Sequence, residues 1–439
     1  MKKDKTGLEP AAQTTATRDR FAPMRRRTFF ERAAVAGAAA TGTISAVASR
    51  DASAAEGDAI GVAPWQTLPG APASGYGQPS PFEKSVLRYI VKPYGDLAPG
   101  TGASFTPIEA LDGTITPSGL HFIRNHNGIP AVDPQQHRLL IHGLVKRPLV
   151  FTVEALLRYP TVSRTYFLEC SGNSGRALTP QPLQLPAGAL HGLVSCSEWT
   201  GIALASLLKE AGIDPSAKWL LAEGADAAGM SRSIPIEKAL DDAMLALYQN
   251  GERLRPEQGY PVRLFLPGWE GNMSVKWLRR LKLTAGPTHT KDETSKYTDP
   301  LPDGKALQFT FEMGVKSVIT RPSSGITLAG RGPLGISGLA WSGAGRIRQV
   351  DVSVDGGASW RAAALHGEQW PKSLVRFRLP WEWSGATALL QSRAIDEKGN
   401  VQPTRGALLP RYAVDNRFHN NSIVSWSLGA DGSVKHVYA

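Results

Sequence analysis

Cysteine is the scarcest chemically reactive residue in this sequence. The chain has 439 residues but only two cysteines, Cys170 and Cys196, too few for a four-cysteine iron–sulfur cluster or a disulfide scaffold. It has no Cys-x-x-Cys-His haem motif, no phosphate-binding P-loop, no His-Glu-x-x-His zinc motif and no Gly-x-Ser-x-Gly elbow. The haem, nucleotide and zinc classes defined by these motifs therefore have no support, and a Ser/His/Asp hydrolase lacks its usual elbow.

Long apolar runs and dense charge clusters are also missing. Beyond the N-terminal region no apolar run reaches about 18 residues, so we expect no membrane span in the mature chain. The formal charge is +11, but residues 1–54 hold ten basic and five acidic residues, which leaves 39 and 33 elsewhere. No basic cluster of about five to eight residues occurs, so we expect no nucleic-acid partner. The mild positive charge suits an anionic small substrate or an acidic protein partner.

The N-terminus has the pattern of an export signal. Arg26 and Arg27 precede two phenylalanines and the Ala/Gly-rich apolar run 33–47, which predicts a twin-arginine signal peptide over residues 1–54. Arg25 stands where Ser or Thr is usual, and an amphipathic helix is the alternative interpretation. Because this route exports folded proteins, we expect a periplasmic protein and, with it, a cofactor inserted before export.

The rest of the chain divides by composition. Residues 55–84 are predicted to be a flexible leader, 85–290 a mixed α/β domain, 291–312 a polar connector, and 313–439 a β-sandwich of immunoglobulin-like type with a C-terminal tail. Helices are predicted over 201–212 and 235–248 from apolar spacing. Strands are predicted over 138–143, 165–170, 218–223, 262–266, 281–283, 315–329, 345–354, 360–365, 375–379 and 388–395.

The two cysteines allow three interpretations: a disulfide, two buried thiols, or one metal ligand. Cys170 follows the apolar strand 165–169 and opens the turn Ser-Gly-Asn-Ser-Gly-Arg, 171–176. A strand ending in cysteine before a glycine-bearing turn presents the sulfur at a cavity edge, where the backbone can approach a ligand closely. Cys196 has the surroundings of a small core residue.

Two further clusters combine cations with polar side chains. Arg124, Asn125 and His126 lie at the end of a predicted strand. Arg263 begins an apolar strand, and Ser274 and Lys276 follow the glycine loop after it, an arrangement suited to a buried phosphate. Taken alone, each cluster is explained as well by an ordinary surface turn or surface charge.

Together, in this order and spacing, the three clusters resemble the sulfite oxidase family of molybdenum enzymes. The Cys-x-Gly-Asn turn and the Gly-x-Pro-x-Arg…Val-Lys-Trp-Leu set, 259–278, carry the resemblance, which covers nearly everything after the leader. Segments 394–403 and 419–421 and the final Gly-Ser-Val-Lys resemble more closely the group of bacterial sulfane dehydrogenases. The resemblance implies a molybdopterin domain followed by a dimerisation domain.

The resemblance also implies roles for the matching residues. Cys170 corresponds to the molybdenum ligand, Arg124 to the arginine beside the substrate oxyanion, and Tyr297 to an active-site tyrosine. Implied contacts of the pterin and its phosphate are Asn125, His126, Asp226, Arg263, Ser274 and Lys276. The implied cofactor is molybdenum–molybdopterin, and the implied reaction is oxidation of sulfane sulfur or sulfite by oxo transfer. The expected partners are a c-type cytochrome, either as a separate acceptor or as a stable subunit, a sulfur-carrier protein as substrate, and a second copy joined through the β-sandwich.

The departures from the family pattern concern the substrate pocket. The paired arginines after the cysteine are replaced by Ser174 and Gly175, with Arg176 one place later, and Ala189 replaces a pocket tryptophan, near His191. No C-terminal pocket arginine is assigned. We expect a more open pocket than free sulfite needs. Two alternatives stay open: a periplasmic molybdenum reductase of the methionine sulfoxide type, and a non-enzymatic exported β-rich binding protein with a Cys170–Cys196 disulfide.

Overall fold

The computed structural model describes residues 63–67, 69–83, 85–91 and 102–439. The chain separates into two units, residues 1–77 and 78–439. In the first unit the described residues form one short helix, α1 (Pro64–Thr67). The predicted signal peptide lies outside the described residues. Of the helices in the described ranges, none combines the length and apolar character that crossing a membrane requires.

Strands dominate the second unit. Its short helices are α2 (Val153–Leu156), α3 (Ala187–His191), α4 (Leu204–Ala211), α5 (Ile236–Asp241), α6 (Lys291–Thr294) and α7 (Arg405–Leu408). The strands before residue 310 are β1 (Tyr89–Val91), β2 (Gly102–Phe105), β3 (Ile123–Asn125), β4 (Arg138–Gly143), β5 (Leu149–Thr152), β6 (Val162–Glu169), β7 (Val194–Ala203), β8 (Trp219–Gly224), β9 (Ser231–Pro235), β10 (Met244–Gln249), β11 (Glu252–Arg253), β12 (Arg263–Phe265), β13 (Leu278–Thr284), β14 (Asp299–Pro300) and β15 (Ala306–Leu307). Those after it are β16 (Lys316–Arg321), β17 (Gly332–Trp341), β18 (Ile347–Ser353), β19 (Arg361–Ala362), β20 (Ala364–His366), β21 (Val375–Trp383), β22 (Ala388–Asp396), β23 (Ser425–Leu428) and β24 (Val434–Val437).

The mixed α/β part is built on three sheets that converge on one site. A five-stranded sheet has the order β5-β4-β13-β8-β9, in which β13 runs parallel to β4 and antiparallel to β8. A second sheet has the order β11-β10-β7-β6, and β12 also pairs with β10. A three-stranded sheet, β1-β2-β3, completes it. The ends of β3 and β6 and the start of β12 carry the three clusters that the sequence singled out.

The predicted β-sandwich is present after residue 315. One sheet has the order β16-β17-β21-β20 and the other β19-β18-β22-β23-β24, all neighbours antiparallel. Their facing side chains form one apolar core around Trp341, Phe377 and Trp426. That core continues into the mixed part, since Phe167 and Cys196 belong to it. The strands β17, β23 and β24 were not predicted.

The predicted helix over 235–248 is wrong in its second half. Helix α5 ends at Asp241, and β10 begins at Met244. Because β10 lies between β7, β11 and β12 and is covered on both faces, almost every residue in it is buried. A strand buried on both faces is a continuous apolar run, which contains helical spacing by accident.

The predicted helix over 201–212 begins three residues too early. Residues 201–203 belong to β7, and α4 starts at Leu204. Gly201 lies where β7 crosses close to β10, since a Cβ there would stand 2.1 Å from the Leu245 carbonyl oxygen. The glycine therefore serves close strand pairing and not a helix start. The polar segment 291–312 contains α6, β14 and β15, and the predicted domain boundaries on either side of it stay predictions.

Candidate active site

The turn after β6 places the Cys170 sulfur at a cavity wall. The Cys170 amide donates to Leu193 O at 2.9 Å, and Asn173 N donates to Cys170 O at 2.8 Å, which closes the turn. The residue is 8% exposed, and burial raises the pKa of its thiol. Both cysteines are free, and Cys196 is fully buried in β7 with its sulfur 3.4 Å from Ser373 Oγ. The disulfide interpretation is therefore wrong.

A second strand of chain lies directly against this turn. Glu169 forms a parallel bridge with Glu270, which brings the loop after β12 beside the cysteine. Gly271 is required there, because a Cβ would stand 2.8 Å from Glu169 O. This close approach explains how residues about a hundred positions apart line the same cavity.

Lys276 joins the first and third clusters. Its Nζ donates to the Asn125 side-chain oxygen, to Arg124 O at 3.2 Å and to Glu257 O at 3.1 Å. Desolvation by burial and the neighbouring Arg263 hold the pKa of this ammonium well below its usual range. The surroundings of Lys276 thus disfavour its charged form, and an anion bound in the cavity would favour it.

Arg263 is a buried cation with carbonyl and amide oxygens as its partners. It is 3% exposed, and it donates through Nε to Ser274 O at 3.2 Å and through Nη1 to Gln258 O at 3.2 Å. Burial lowers the pKa of the guanidinium to about 9. Among the described residues neither Arg263 nor Lys276 forms an ion pair with a carboxylate. Two buried cations side by side call for a bound anion, and phosphate fits their donors.

Tyr297 and His126 form a neutral polar pair at the same cavity. The tyrosine hydroxyl lies 2.7 Å from His126 Nε2. Burial and the charge of Arg124 lower the pKa of the imidazole to about 3, whereas burial raises the pKa of the Tyr297 hydroxyl. The tyrosine backbone is left-handed, with φ +46, a conformation that is uncommon for a residue other than glycine.

All nine predicted site residues line one inner cavity. They are Arg124, Asn125, His126, Cys170, Asp226, Arg263, Ser274, Lys276 and Tyr297. Asp226 is 8% exposed, and its Oδ1 has no hydrogen-bond partner among the described residues. His191 is not part of this cavity: it lies behind the cysteine turn, with Nδ1 2.7 Å from Ser174 Oγ. The structure thus brings the candidate site together, while the role of each residue in it stays a prediction.

An outer cavity of about 620 Å³ opens onto the same cysteine and tyrosine. Its lining includes four cations: Arg124, Arg176, Lys296 and Arg417. Lys296 and Arg417 are not identified from the sequence, and no pocket arginine is assigned from it in the C-terminal part. Arg417 lies in a loop between α7 and β23 with no regular pattern, so no periodicity or local motif marks it. The nearby His419-Asn-Asn segment was the available signal.

A buried charged network supports the loop behind the cavity. Glu270 accepts from Arg232 Nη2 at 3.0 Å and from Asn272 Nδ2 at 2.7 Å, and His419 Nε2 lies 3.6 Å from both Glu270 Oε2 and Asp299 Oδ2. Burial lowers the pKa of His419, but these carboxylates more than offset that effect, so its pKa is raised overall. The protonated form of His419 is thereby favoured, and its contacts with Glu270 and Asp299 tie the C-terminal loop to the mixed part.

Comparison with known families gives two matches along the chain. Residues 126–291 match the oxidoreductase molybdopterin binding domain, and residues 308–425 match the Mo-co oxidoreductase dimerisation domain. The order confirms the predicted fold class, a molybdopterin-binding domain followed by a dimerisation domain. It also confirms the predicted class of cofactor.

Several characterised proteins are similar over most of the chain. Sulfite oxidase of Gallus gallus is 33% identical over 325 residues, 68% of this chain and 70% of the relative. Mitochondrial sulfite oxidase of Homo sapiens is 31% identical over 322 residues, which spans 68% of this chain but only 59% of the human protein. NADH nitrate reductase of Cichorium intybus is 32% identical over 334 residues, 67% of this chain and 36% of that protein.

One solved structure matches closely in both sequence and fold. It is the sulfane dehydrogenase SoxCD from Paracoccus pantotrophus, with 48% identity and a TM-score of 0.83. The match covers 86% of this chain and 97% of the matched chain.

Proposed function

The chain belongs to the sulfite oxidase family of molybdopterin-dependent oxidoreductases, and on that premise we propose that it oxidises sulfane sulfur carried by a partner protein, with sulfite as the simpler alternative. The proposal includes a periplasmic location and transfer of the electrons to a c-type cytochrome. Family membership makes the chain an enzyme, so the non-enzymatic binding protein considered from sequence is wrong.

The residues of the inner cavity fit the cofactor. Among the described residues Arg263 and Lys276 form no ion pair with a carboxylate, and both would hold the pterin phosphate. Asp226 Oδ1, which has no hydrogen-bond partner in the described part of the chain, would accept from a pterin N–H, and Cys170 would bind the metal. Burial keeps the thiol protonated, so a metal cation must displace that proton. When bound, the cofactor supplies a two-electron acceptor able to transfer an oxygen atom.

The chain's own side chains would bind and orient the substrate. Arg124 and Tyr297 line both the inner and the outer cavity, so they stand where a substrate entering from the outer cavity would approach a metal held by Cys170. The guanidinium supplies charge-assisted hydrogen bonds to an anionic oxygen, and the neutral Tyr297–His126 pair supplies an uncharged donor. A neutral donor orients a substrate without adding charge.

The outer cavity is the observation that favours a carried sulfur. Its volume of about 620 Å³ and its four cations exceed what one small oxyanion requires. A sulfur group at the end of a peptide arm would fill it. The closely matching structure is that of a sulfane dehydrogenase, which supports the same choice.

The proposed function includes an external acceptor for the electrons. This sequence has no haem-attachment motif and two cysteines that are both accounted for, so no second redox centre stands out in it. We propose a c-type cytochrome as the acceptor. The match of residues 308–425 to a dimerisation domain supports a homodimer, which light scattering of the purified protein would test.

The substrate can be decided by a parallel assay. Purified holoenzyme is mixed with oxidised cytochrome c and with sulfite, thiosulfate or a persulfidated carrier protein, each at matched concentration. We expect cytochrome reduction to be fastest with the persulfidated carrier. Strong activity on free sulfite alone would refute the argument from the outer cavity, and absence of molybdenum from protein made in a molybdenum-replete host would refute the redox function.

A further inference from the structure

A lysine from the β-sandwich is buried beneath the cysteine turn. Lys316 is the first residue of β16, and its side chain is 1% exposed. Its Nζ donates to Ser174 Oγ at 2.7 Å and to Asn420 O at 2.7 Å, and it lies 3.4 Å from Glu169 Oε1. A single ammonium group therefore joins the mixed part, the sandwich and the C-terminal loop.

These contacts hold both ends of the turn that carries Cys170. Glu169 directly precedes the cysteine, and its carboxylate also accepts from Asn173 Nδ2 at 2.8 Å and from Trp341 Nε1 at 2.6 Å. Ser174 closes the turn in a left-handed conformation, φ +63. That conformation is energetically unfavourable for a residue other than glycine. The bond from Lys316 to the serine hydroxyl helps to offset this cost.

Stability alone does not account for a charged pair at this place. Both Lys316 and Glu169 are 1% exposed, and burial lowers the pKa of the lysine while Glu169 opposes that effect. Replacing such a buried pair with apolar side chains of similar size is often neutral or stabilising. What an apolar pair cannot supply is directional bonding to the two ends of one short turn.

We propose that Lys316 is a positioning residue for the metal-binding cysteine. Through this side chain, the packing of the β-sandwich against the mixed part fixes the geometry of the turn 169–174. The proposal rests on the proposed role of Cys170 as the molybdenum ligand. It assigns to the second domain a part in tuning the metal site, in addition to dimerisation. Partners that orient a ligand-bearing segment commonly affect activity by about 10- to 100-fold.

The test compares Lys316→Met with a matched control in the holoenzyme. Lys238→Met removes another buried lysine from an ion pair, with Asp242, but outside the cavities described. We expect K316M to keep most of its molybdenum, to lower kcat about tenfold or more with little change in KM, and to shift the Mo(V) electron paramagnetic resonance spectrum. K238M should leave that spectrum and kcat unchanged.

A second readout does not depend on turnover. Amide hydrogen exchange of the peptide 169–176, measured by mass spectrometry in the cofactor-free full chain, should be about tenfold faster in K316M than in the wild type and unchanged in K238M. Absence of molybdenum from the wild type would refute the proposed function. The exchange rate would still test the role of Lys316, because it is measured without the cofactor. Unchanged exchange, spectrum and kcat in K316M would overturn the proposal.

A second variant is needed as a control for misfolding, because K316M leaves the buried Glu169 carboxylate without its cationic partner. Ser174→Gly removes the hydroxyl that Lys316 binds, keeps the ion pair and suits the left-handed backbone. We expect S174G to fold with a thermal midpoint near that of the wild type and to show the same spectral shift and faster exchange, to a smaller degree. If S174G matches the wild type in both, the positioning role is wrong.

Discussion

At the scale of single residues, the decisive contrast is between the two cysteines. Cys170 is buried at a cavity wall beside Arg124 and Tyr297, whereas Cys196 is fully buried in the shared apolar core. Burial raises the pKa of both thiols, so neither is poised as a free nucleophile. Only the first has an opening in front of it and cations around it.

Substitution of the two cysteines should therefore have opposite results. We expect Cys170→Ser to lower turnover by at least about 100-fold, because a hydroxyl is a poor substitute for a thiolate ligand. Cys196→Ser should keep full activity, since its new hydroxyl would lie beside Ser373 Oγ. Molybdenum content and cytochrome reduction measure both. Equal loss in the two variants would contradict the assignment of the ligand.

Arg417 offers a test of the outer cavity. It is exposed and lines that cavity, so its contribution to an anionic substrate should be roughly 1 kcal/mol, or about fivefold in KM. We expect Arg417→Gln to raise KM by that factor with little change in kcat. Arg361→Gln, which removes an exposed arginine of β19, is the control. An unchanged KM in R417Q would exclude this residue from substrate binding.

At the scale of elements, prediction from sequence succeeded for a strand whose burial alternates and failed for a strand that is buried on both faces. The predicted strand 138–143 matches β4, along which more buried and less buried side chains alternate in the structure. The helix predicted over 235–248 failed because β10 is covered on both faces. Burial on both faces removes the alternation that distinguishes a strand from a helix, so only the pairing partners could decide.

The loop between α7 and β23 is a second element whose stability can be tested, through His419. Its pKa is raised above 6.5 in the folded chain because Glu270 and Asp299 outweigh its burial. The stabilisation is therefore present below pH 6.5 and is lost as the pH rises through the raised pKa. We expect the urea midpoint of the wild type to fall over that range and His419→Gln to lack this part of the fall. An identical pH dependence in both would show that His419 is not protonated in the fold.

At the scale of the whole molecule, the β-sandwich and the C-terminal loop contribute residues to a core shared with the mixed α/β part and to its outer cavity. Phe167 and Cys196 of the mixed part belong to the core of the β-sandwich. Lys316 and Arg417, both contributed after residue 315, reach the turn and the outer cavity of the mixed part. The candidate active site is thus lined by both parts of the chain, which is why its substrate side could not be judged from the cofactor motifs alone.

Export of the folded molecule is a prediction at this scale. The double substitution Arg26→Lys and Arg27→Lys should stop export, because the translocation route recognises the arginine pair. We expect the enzyme to accumulate in the cytoplasm, active and loaded with molybdenum, as measured in cell fractions. A single Arg25→Lys change should be tolerated. Periplasmic activity of the double variant at the level of the wild type would contradict the signal.

The sequence by itself was enough to predict the candidate cofactor site, through three local clusters whose order and spacing resemble the sulfite oxidase family. Cys170, Asn125, Arg263 and Lys276 stand at strand ends or in loops beside them, and local sequence carries such positions because apolar strands with polar ends are local patterns. Only the tertiary structure decided the rest. Three contacts join segments that are far apart in the chain. Lys276 donates to Asn125, Lys316 donates to Ser174 in the cysteine turn, and Arg417 lines the outer cavity. Contacts of that kind depend on how sheets pack, and packing leaves no periodic mark on the residues that make them.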